Sequence, residues 1–91
     1  MKSFGQVMSD ERTGYRQACL RCVVEALLTR DMSLEELLAV TKCTRFSVCR
    51  CLMVLKENDF MLERKTATEY RATDLLRKDF GIAKNDKGNV V

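Results

Sequence analysis

Residues 33–64 read SLEELLAVTKCTRFSVCRCLMVLKENDFMLER, and this stretch decides the fold. It opens with a helix-start signal, because Ser33 can serve as an N-cap and Glu36, three residues later, completes a capping box. Apolar residues then recur at helical spacing. We therefore predict a short helix over residues 34–40, followed by a tight turn.

A longer helix follows this turn. Thr44 can cap it, and the helical spacing of apolar residues continues to about Asn58. The positions expected to face the core are Val48, Cys51, Leu52 and Leu55. The positions expected on the opposite side are Arg45, Phe46, Cys49, Arg50 and Met53. The pattern thus predicts a helix that packs by one face and presents two arginines on the other.

Beyond this helix the apolar pattern changes to period two, which is typical of strands. Alternation over residues 60–64 and 69–72 predicts a β-hairpin with its tip at residues 65–68.

The flanking segments predict two further helices. Helical spacing from Leu20 to Leu28 indicates a helix within residues 13–29, which Gly14 should make start late. A short last helix is expected over residues 75–80, because Gly81 follows it.

These elements divide the chain into three parts. Residues 1–12 are expected to be a flexible N-terminal arm, residues 13–80 one domain, and residues 81–91 a flexible tail. The predicted fold class is mainly α with a small β-hairpin: a three-helix core, a wing and a short C-terminal helix.

Composition excludes several classes of function. The chain has 91 residues and no His, which removes the usual general base and the His-containing zinc sites. It contains no phosphate loop or carboxylate dyad, so an enzyme is the least supported class. It has no apolar run near the ~20 residues of a membrane helix and no signal-peptide pattern, so we expect a cytoplasmic protein without membrane contact.

The five cysteines are expected to be reduced thiols, because their number is odd and no export signal is present. Cys19 and Cys22 form a CxxC pair, and Cys49 and Cys51 form a CxC pair. Both pairs fall inside predicted helices, whereas zinc and iron–sulfur sites place their thiolates on loops. We therefore expect no metal and no cofactor, and only Cys49 is predicted to be exposed.

Positive charge is concentrated in the second half of the chain. Residues 1–40 carry five basic and six acidic groups, a balance of −1, whereas residues 41–78 carry nine basic and five acidic groups, a balance of +4. Residues 41–56 contain no acidic group at all. A localised positive segment is what a polyanion-binding face requires, although a solvated helix face has the same composition.

An ordered set of motifs then carries a resemblance to a known family. The segments are SVCRCLMVL at residues 47–55, DFMLER at 59–64 and YRAT at 70–73. Over about residues 15–75 the chain resembles the winged helix-turn-helix domain of IclR and MarR-like bacterial transcriptional regulators. The resemblance covers the DNA-binding domain alone, so it implies no small-molecule effector.

The resemblance implies that the helix at 44–58 enters the major groove and that the wing at 60–72 lies on the DNA backbone. The residues expected to contact DNA are, on the turn and helix, Lys42, Thr44, Arg45, Phe46, Ser47, Cys49 and Arg50, and, on the wing, Arg64, Lys65 and Arg71.

Roles on the helix can be assigned in outline. Arg45, near the helix start, is expected to contact a base or a phosphate, and Arg50 matches the family's arginine and is expected to clamp a phosphate. Thr44 either donates a hydrogen bond to a phosphate or serves only as the helix cap. Ser47 either donates to a phosphate or is simply solvated. Phe46 departs from the family's small polar residue and could touch a thymine methyl, pack on a partner or turn inward.

The wing arginines have an alternative use. Arg64 and Arg71 could instead pair weakly with Glu63 and Glu69 across the hairpin.

The leading hypothesis is a sequence-specific double-stranded DNA-binding protein, a small transcriptional regulator that acts as a homodimer. Its dimer interface would come from the Leu20–Leu28 stripe or from Leu75, Leu76 and Phe80. Glu11, on the arm, is expected to contribute little.

The alternative is a winged-helix adaptor for protein–protein interaction that does not bind DNA. Phe46 and Met53, on the outer side of the long helix, would then form its apolar docking spot.

Overall fold

A computed structural model of the chain describes residues 3–64 and 68–88, the last seven of them by their backbone. These residues form five helices and one three-stranded antiparallel sheet. In chain order the elements are α1 (Phe4–Asp10), α2 (Gly14–Thr29), β1 (Met32–Ser33), α3 (Leu34–Thr41), α4 (Arg45–Glu57), β2 (Met61–Arg64), β3 (Glu69–Ala72) and α5 (Asp74–Gly88). The prediction of a mainly α fold with a small β element is confirmed.

Helix α1 (Phe4–Asp10) lies within the segment 1–12 that was expected to be a flexible arm. Ser3 caps the helix, since its side chain accepts a hydrogen bond from the backbone N–H of Gln6. Phe4 and Val7 are buried in the core. A helix this short is not stable by itself. Burial of a valine or phenylalanine side chain stabilises a fold by about 1.5–3 kcal/mol, so α1 is stabilised by its packing against the core.

Helix α2 forms the centre of the core. It begins at Gly14, earlier than expected, because Thr13 accepts a hydrogen bond from the backbone N–H of Arg16 and so caps the helix. Its buried residues are Cys19, Leu20, Val23, Val24, Ala26 and Leu27. Most of the Leu20–Leu28 stripe is thus buried inside the chain, and little of it is left for the dimer interface suggested there.

Helices α3 and α4 follow the local signals. The capping box of Ser33 and Glu36 is present in full, as predicted. Lys42 then turns the chain with a left-handed φ of 57°, and its backbone N–H donates to the carbonyl of Leu38. The side chain of Thr44 accepts from the backbone N–H of Ser47, which confirms Thr44 as the N-cap of α4.

The sheet contains one strand more than the predicted hairpin. Strands β2 and β3 pair in antiparallel fashion, with Met61 opposite Ala72. The two-residue strand β1 pairs with β3 on its other side, with Met32 opposite Tyr70, so the strand order is β1-β3-β2. The additional strand ties the segment between α2 and α3 to the hairpin.

Helix α5 continues through Gly81 to Gly88, so it covers part of the segment expected to be a flexible tail, whose residues 89–91 lie outside the described residues. The ring of Phe80 stacks on that of Phe4 at a centroid distance of 5.4 Å, and Leu76 is fully buried. The suggested dimer interface at Leu75, Leu76 and Phe80 is therefore largely occupied within the chain. Neither α5 nor any other helix in the described ranges has the length and apolar character of a membrane-spanning segment.

Candidate nucleic-acid interface

Helix α4 divides into a buried and an exposed face, as the sequence predicts. Its buried residues are Val48, Cys51, Leu52 and Leu55. On the outward side Phe46 is 77% exposed, and Met53, Arg45 and Cys49 are exposed as well. The outward side therefore combines one guanidinium with an apolar strip.

Arg45 lies on this side in an ion pair that is open to solvent. Its Nη2 is 2.7 Å from Oε1 of Glu35 on α3, and the two side chains are 60% and 73% exposed. The hydrogen bond to Glu35 raises the pKa of Arg45 above its usual value. An ion pair this exposed is weak, because water and salt screen both charges, so a phosphate can compete for the guanidinium.

Arg50 has a different environment. Its Nη1 is 2.8 Å from Oε1 of Glu11, whose side chain is only 4% exposed, whereas that of Arg50 is 30% exposed. The hydrogen bond to Glu11 raises the pKa of Arg50. The second oxygen of Glu11, Oε2, is buried without a hydrogen-bond partner among the described residues. Glu11 is therefore not a peripheral residue, and Arg50 compensates a buried negative charge.

The two hairpin arginines, Arg64 and Arg71, converge on one carboxylate that the sequence did not single out. Asp31, between α2 and β1, accepts hydrogen bonds at 3.1 Å from Arg64 and from Arg71. Partial burial opposes ionisation, but these hydrogen bonds prevail and hold the pKa of Asp31 below its usual value. Arg64 also lies 3.8 Å from Glu69, so one of the suggested cross-hairpin pairs is present, while Arg71 pairs with Asp31 instead.

The remaining polar residues expected to contact DNA are Lys42, Thr44, Ser47 and Lys65, and the three that the structure describes differ in exposure and hydrogen bonding. Lys42 is exposed and forms no salt bridge with any described residue. The hydroxyl of Thr44 also donates to that of Ser47 at 2.9 Å. Lys65 lies outside the described residues.

The cysteines are free thiols, as expected. Cys49 is exposed as predicted, but Cys22 is exposed too, so Cys49 is not the sole accessible thiol. Cys19 and Cys51 are buried with their sulfurs 3.7 Å apart, and burial raises the pKa of both thiols. Within residues 3–64 and 68–88 no cluster of three or more cysteine or carboxylate side chains could hold a metal ion.

A groove of about 250 Å³ runs between the first two turns of α2 and of α4. Tyr15 and Arg16 line it from α2, and Phe46, Ser47 and Arg50 line it from α4. Sequence reasoning missed the contribution of α2. Arg16 was recognisable only as a charge off the apolar stripe, and no local pattern indicates which helix lies beside it.

No protein-family model, curated protein or solved structure matches the chain. Any function must therefore be inferred from the residues and geometry of the chain itself.

Proposed function

We propose that this protein is a winged helix-turn-helix DNA-binding protein, a small transcriptional regulator that inserts α4 in the major groove. The hairpin β2–β3 is then the wing, which lies along the flanking DNA backbone. The proposal includes a homodimer on a near-palindromic site, because one small domain makes few base contacts.

The order of elements supports the proposal. From α2 onward the chain runs helix, strand, helix, turn, helix and two-stranded ribbon, with the first strand pairing on the inner strand of the ribbon. Three residues, Lys42 to Thr44, separate α3 from α4, which is the turn length of a helix-turn-helix. This arrangement is the one expected of a winged helix.

The single observation that carries the proposal is the outward side of α4. Arg45 lies there in its first turn, in an exposed pair that a phosphate or a guanine can replace. Phe46 beside it offers an apolar surface for a thymine methyl. No carboxylate occurs in α4 before Glu57, so the helix itself does not repel a duplex.

The test begins with selection of bound sequences from a random duplex pool. We then expect Arg45→Gln to weaken discrimination at one base position by roughly 10- to 100-fold, measured by fluorescence anisotropy on single-base variants of the selected duplex. Arg30→Gln is the matched control, because Arg30 also forms an exposed 2.7 Å pair with a glutamate, Glu36, but lies off α4. Failure to enrich any duplex at low salt would refute DNA binding.

One observation favours the protein–protein adaptor as a second function. Phe46 and Met53 are large apolar side chains exposed on the outward side of α4, where a DNA-binding helix more often carries polar groups. An adaptor would retain neither random duplex nor heparin at low salt, so the same assay separates the two functions.

A further inference from the structure

The groove between α2 and α4 is largely apolar, and a few cationic and donor side chains lie among its lining residues. Arg16 and Arg50 are among the residues that line it, together with Thr13 and Ser47. None of the described residues that line the groove carries a carboxylate. The groove therefore combines cationic and donor groups with no negative charge of its own.

The two arginines are not equivalent in charge. Arg50 is compensated by the buried carboxylate of Glu11, 2.8 Å away. Arg16 is exposed and forms no salt bridge with any residue in the described part of the chain. The net positive charge of the groove thus comes from Arg16.

Neither hydroxyl donates a side-chain hydrogen bond to any residue that the structure describes. Thr13 Oγ1 accepts a hydrogen bond from the backbone N–H of Arg16, and Ser47 Oγ accepts one from the hydroxyl of Thr44. A hydroxyl that accepts in this way keeps its own hydrogen, which it can donate to a ligand oxygen. Phosphate oxygens are strong acceptors that pair with guanidinium and hydroxyl donors.

We propose that this groove binds a phosphate of the DNA backbone, with Arg16 as its principal charged contact. The inference rests on the proposed function and adds α2 to a surface that sequence analysis limited to α4 and the wing. A backbone phosphate is the fitting occupant, because Phe46 and Arg50 belong to both the groove and the helix proposed to enter the major groove. The contact positions the duplex beside α4 without reading its sequence.

The test compares Arg16→Gln with Arg21→Gln on the selected duplex, by anisotropy across a NaCl series. Arg21 is the matched control, because it is exposed on the same helix about 140° away around the axis and does not line the groove. For Arg16→Gln we expect the slope of log affinity against log salt to fall by about 0.9, the value for one phosphate contact. The affinity ratio of wild type to Arg16→Gln should then shrink about 3.5-fold between 50 and 200 mM salt. Arg21→Gln should match the wild type, and Arg16→Lys should retain the wild-type slope.

Each other outcome has a definite meaning. If wild type binds duplex and Arg16→Gln behaves as Arg21→Gln does, the phosphate groove is refuted and the proposed function stands. If wild type binds no duplex, both proposals fall. If millimolar inorganic phosphate saturates the amide NMR shifts of Arg16 and Ser47 without displacing duplex, the occupant is free phosphate and the assignment to DNA is overturned.

Discussion

Arg45 and Arg50 lie five residues apart on α4, and the sequence does not distinguish their roles. In the structure their guanidinium groups have different environments. Arg45 pairs with Glu35, and both side chains are open to solvent. Arg50 pairs with Glu11, whose carboxylate is almost fully buried. An exposed pair exchanges readily for another partner, whereas a cation that neutralises a buried charge cannot leave without cost.

The difference shows how an exposed ion pair and a partly buried structural pair can share one helix. Glu11 lies between α1 and α2, so the Arg50–Glu11 pair fastens α4 to the N-terminal part of the chain. The Arg45–Glu35 pair instead joins α3 and α4 at the surface. Arg45 is therefore the better placed of the two to contact DNA, and Arg50 is first of all a structural residue.

The largest expected effect is on folding stability. Arg50→Gln should lower the free energy of unfolding by about 2 kcal/mol, less than the 3–5 kcal/mol typical of a fully buried pair because Arg50 is partly exposed. Urea unfolding followed by circular dichroism measures it. Arg45→Gln, the same change on the same helix, is the control and should leave the unfolding midpoint unchanged within error.

A double variant sharpens this result. Glu11→Gln combined with Arg50→Gln should cost less than the sum of the single changes, because it removes the buried charge together with its partner. Equal stability losses for Arg50→Gln and Arg45→Gln would abolish the distinction between the two pairs.

A smaller effect is expected on DNA affinity. Glu35→Gln should raise affinity for the selected duplex by about two- to threefold at low salt, because it removes a carboxylate that competes with phosphate for Arg45. Anisotropy titration measures the change. Glu25→Gln is the control, because it removes one negative charge from an exposed position on α2 instead of from α3. A similar gain in both variants would mean that net charge alone acts, not release of Arg45.

The smallest effect concerns pH. Because the pKa of Asp31 is lowered in the folded protein, its contribution to stability is present above its unfolded pKa of about 3.9 and is lost as the pH falls through the lower folded value. The difference in unfolding free energy between wild type and Asp31→Asn should be constant above about pH 5 and shrink below about pH 4. A difference that is constant down to pH 3 would contradict a role for the pairs of Asp31 with Arg64 and Arg71.

Local chemistry accounts for the elements that sequence reasoning predicted well. The capping box at Ser33 and Glu36 and the cap at Thr44 involve partners three residues away, so the chain order alone defines them. The buried face of α4 follows from helical periodicity, and the hairpin follows from period two. These features depend little on the rest of the molecule.

Two of the features that were missed, β1 and α1, depend on distant partners. The strand β1 has only two residues and exists because β3, far along the chain, pairs with it. Helix α1 is short, and Phe4 holds it to the core through Phe80 and Phe60. The extension of α5 beyond Gly81 had no local signal, because Gly usually ends a helix.

Chain order thus specified where helices and strands form, since caps and apolar periodicity act over a few residues. The tertiary fold decided which charged side chains pair. Arg50 pairs with Glu11 at a sequence separation of 39 residues, and Asp31 pairs with Arg64 and Arg71 at separations of 33 and 40 residues. Charge pairing depends on distance in space and on burial, neither of which a linear pattern contains. For this reason the sequence indicated that both arginines lie on the outer side of α4, but not which of them is open to solvent.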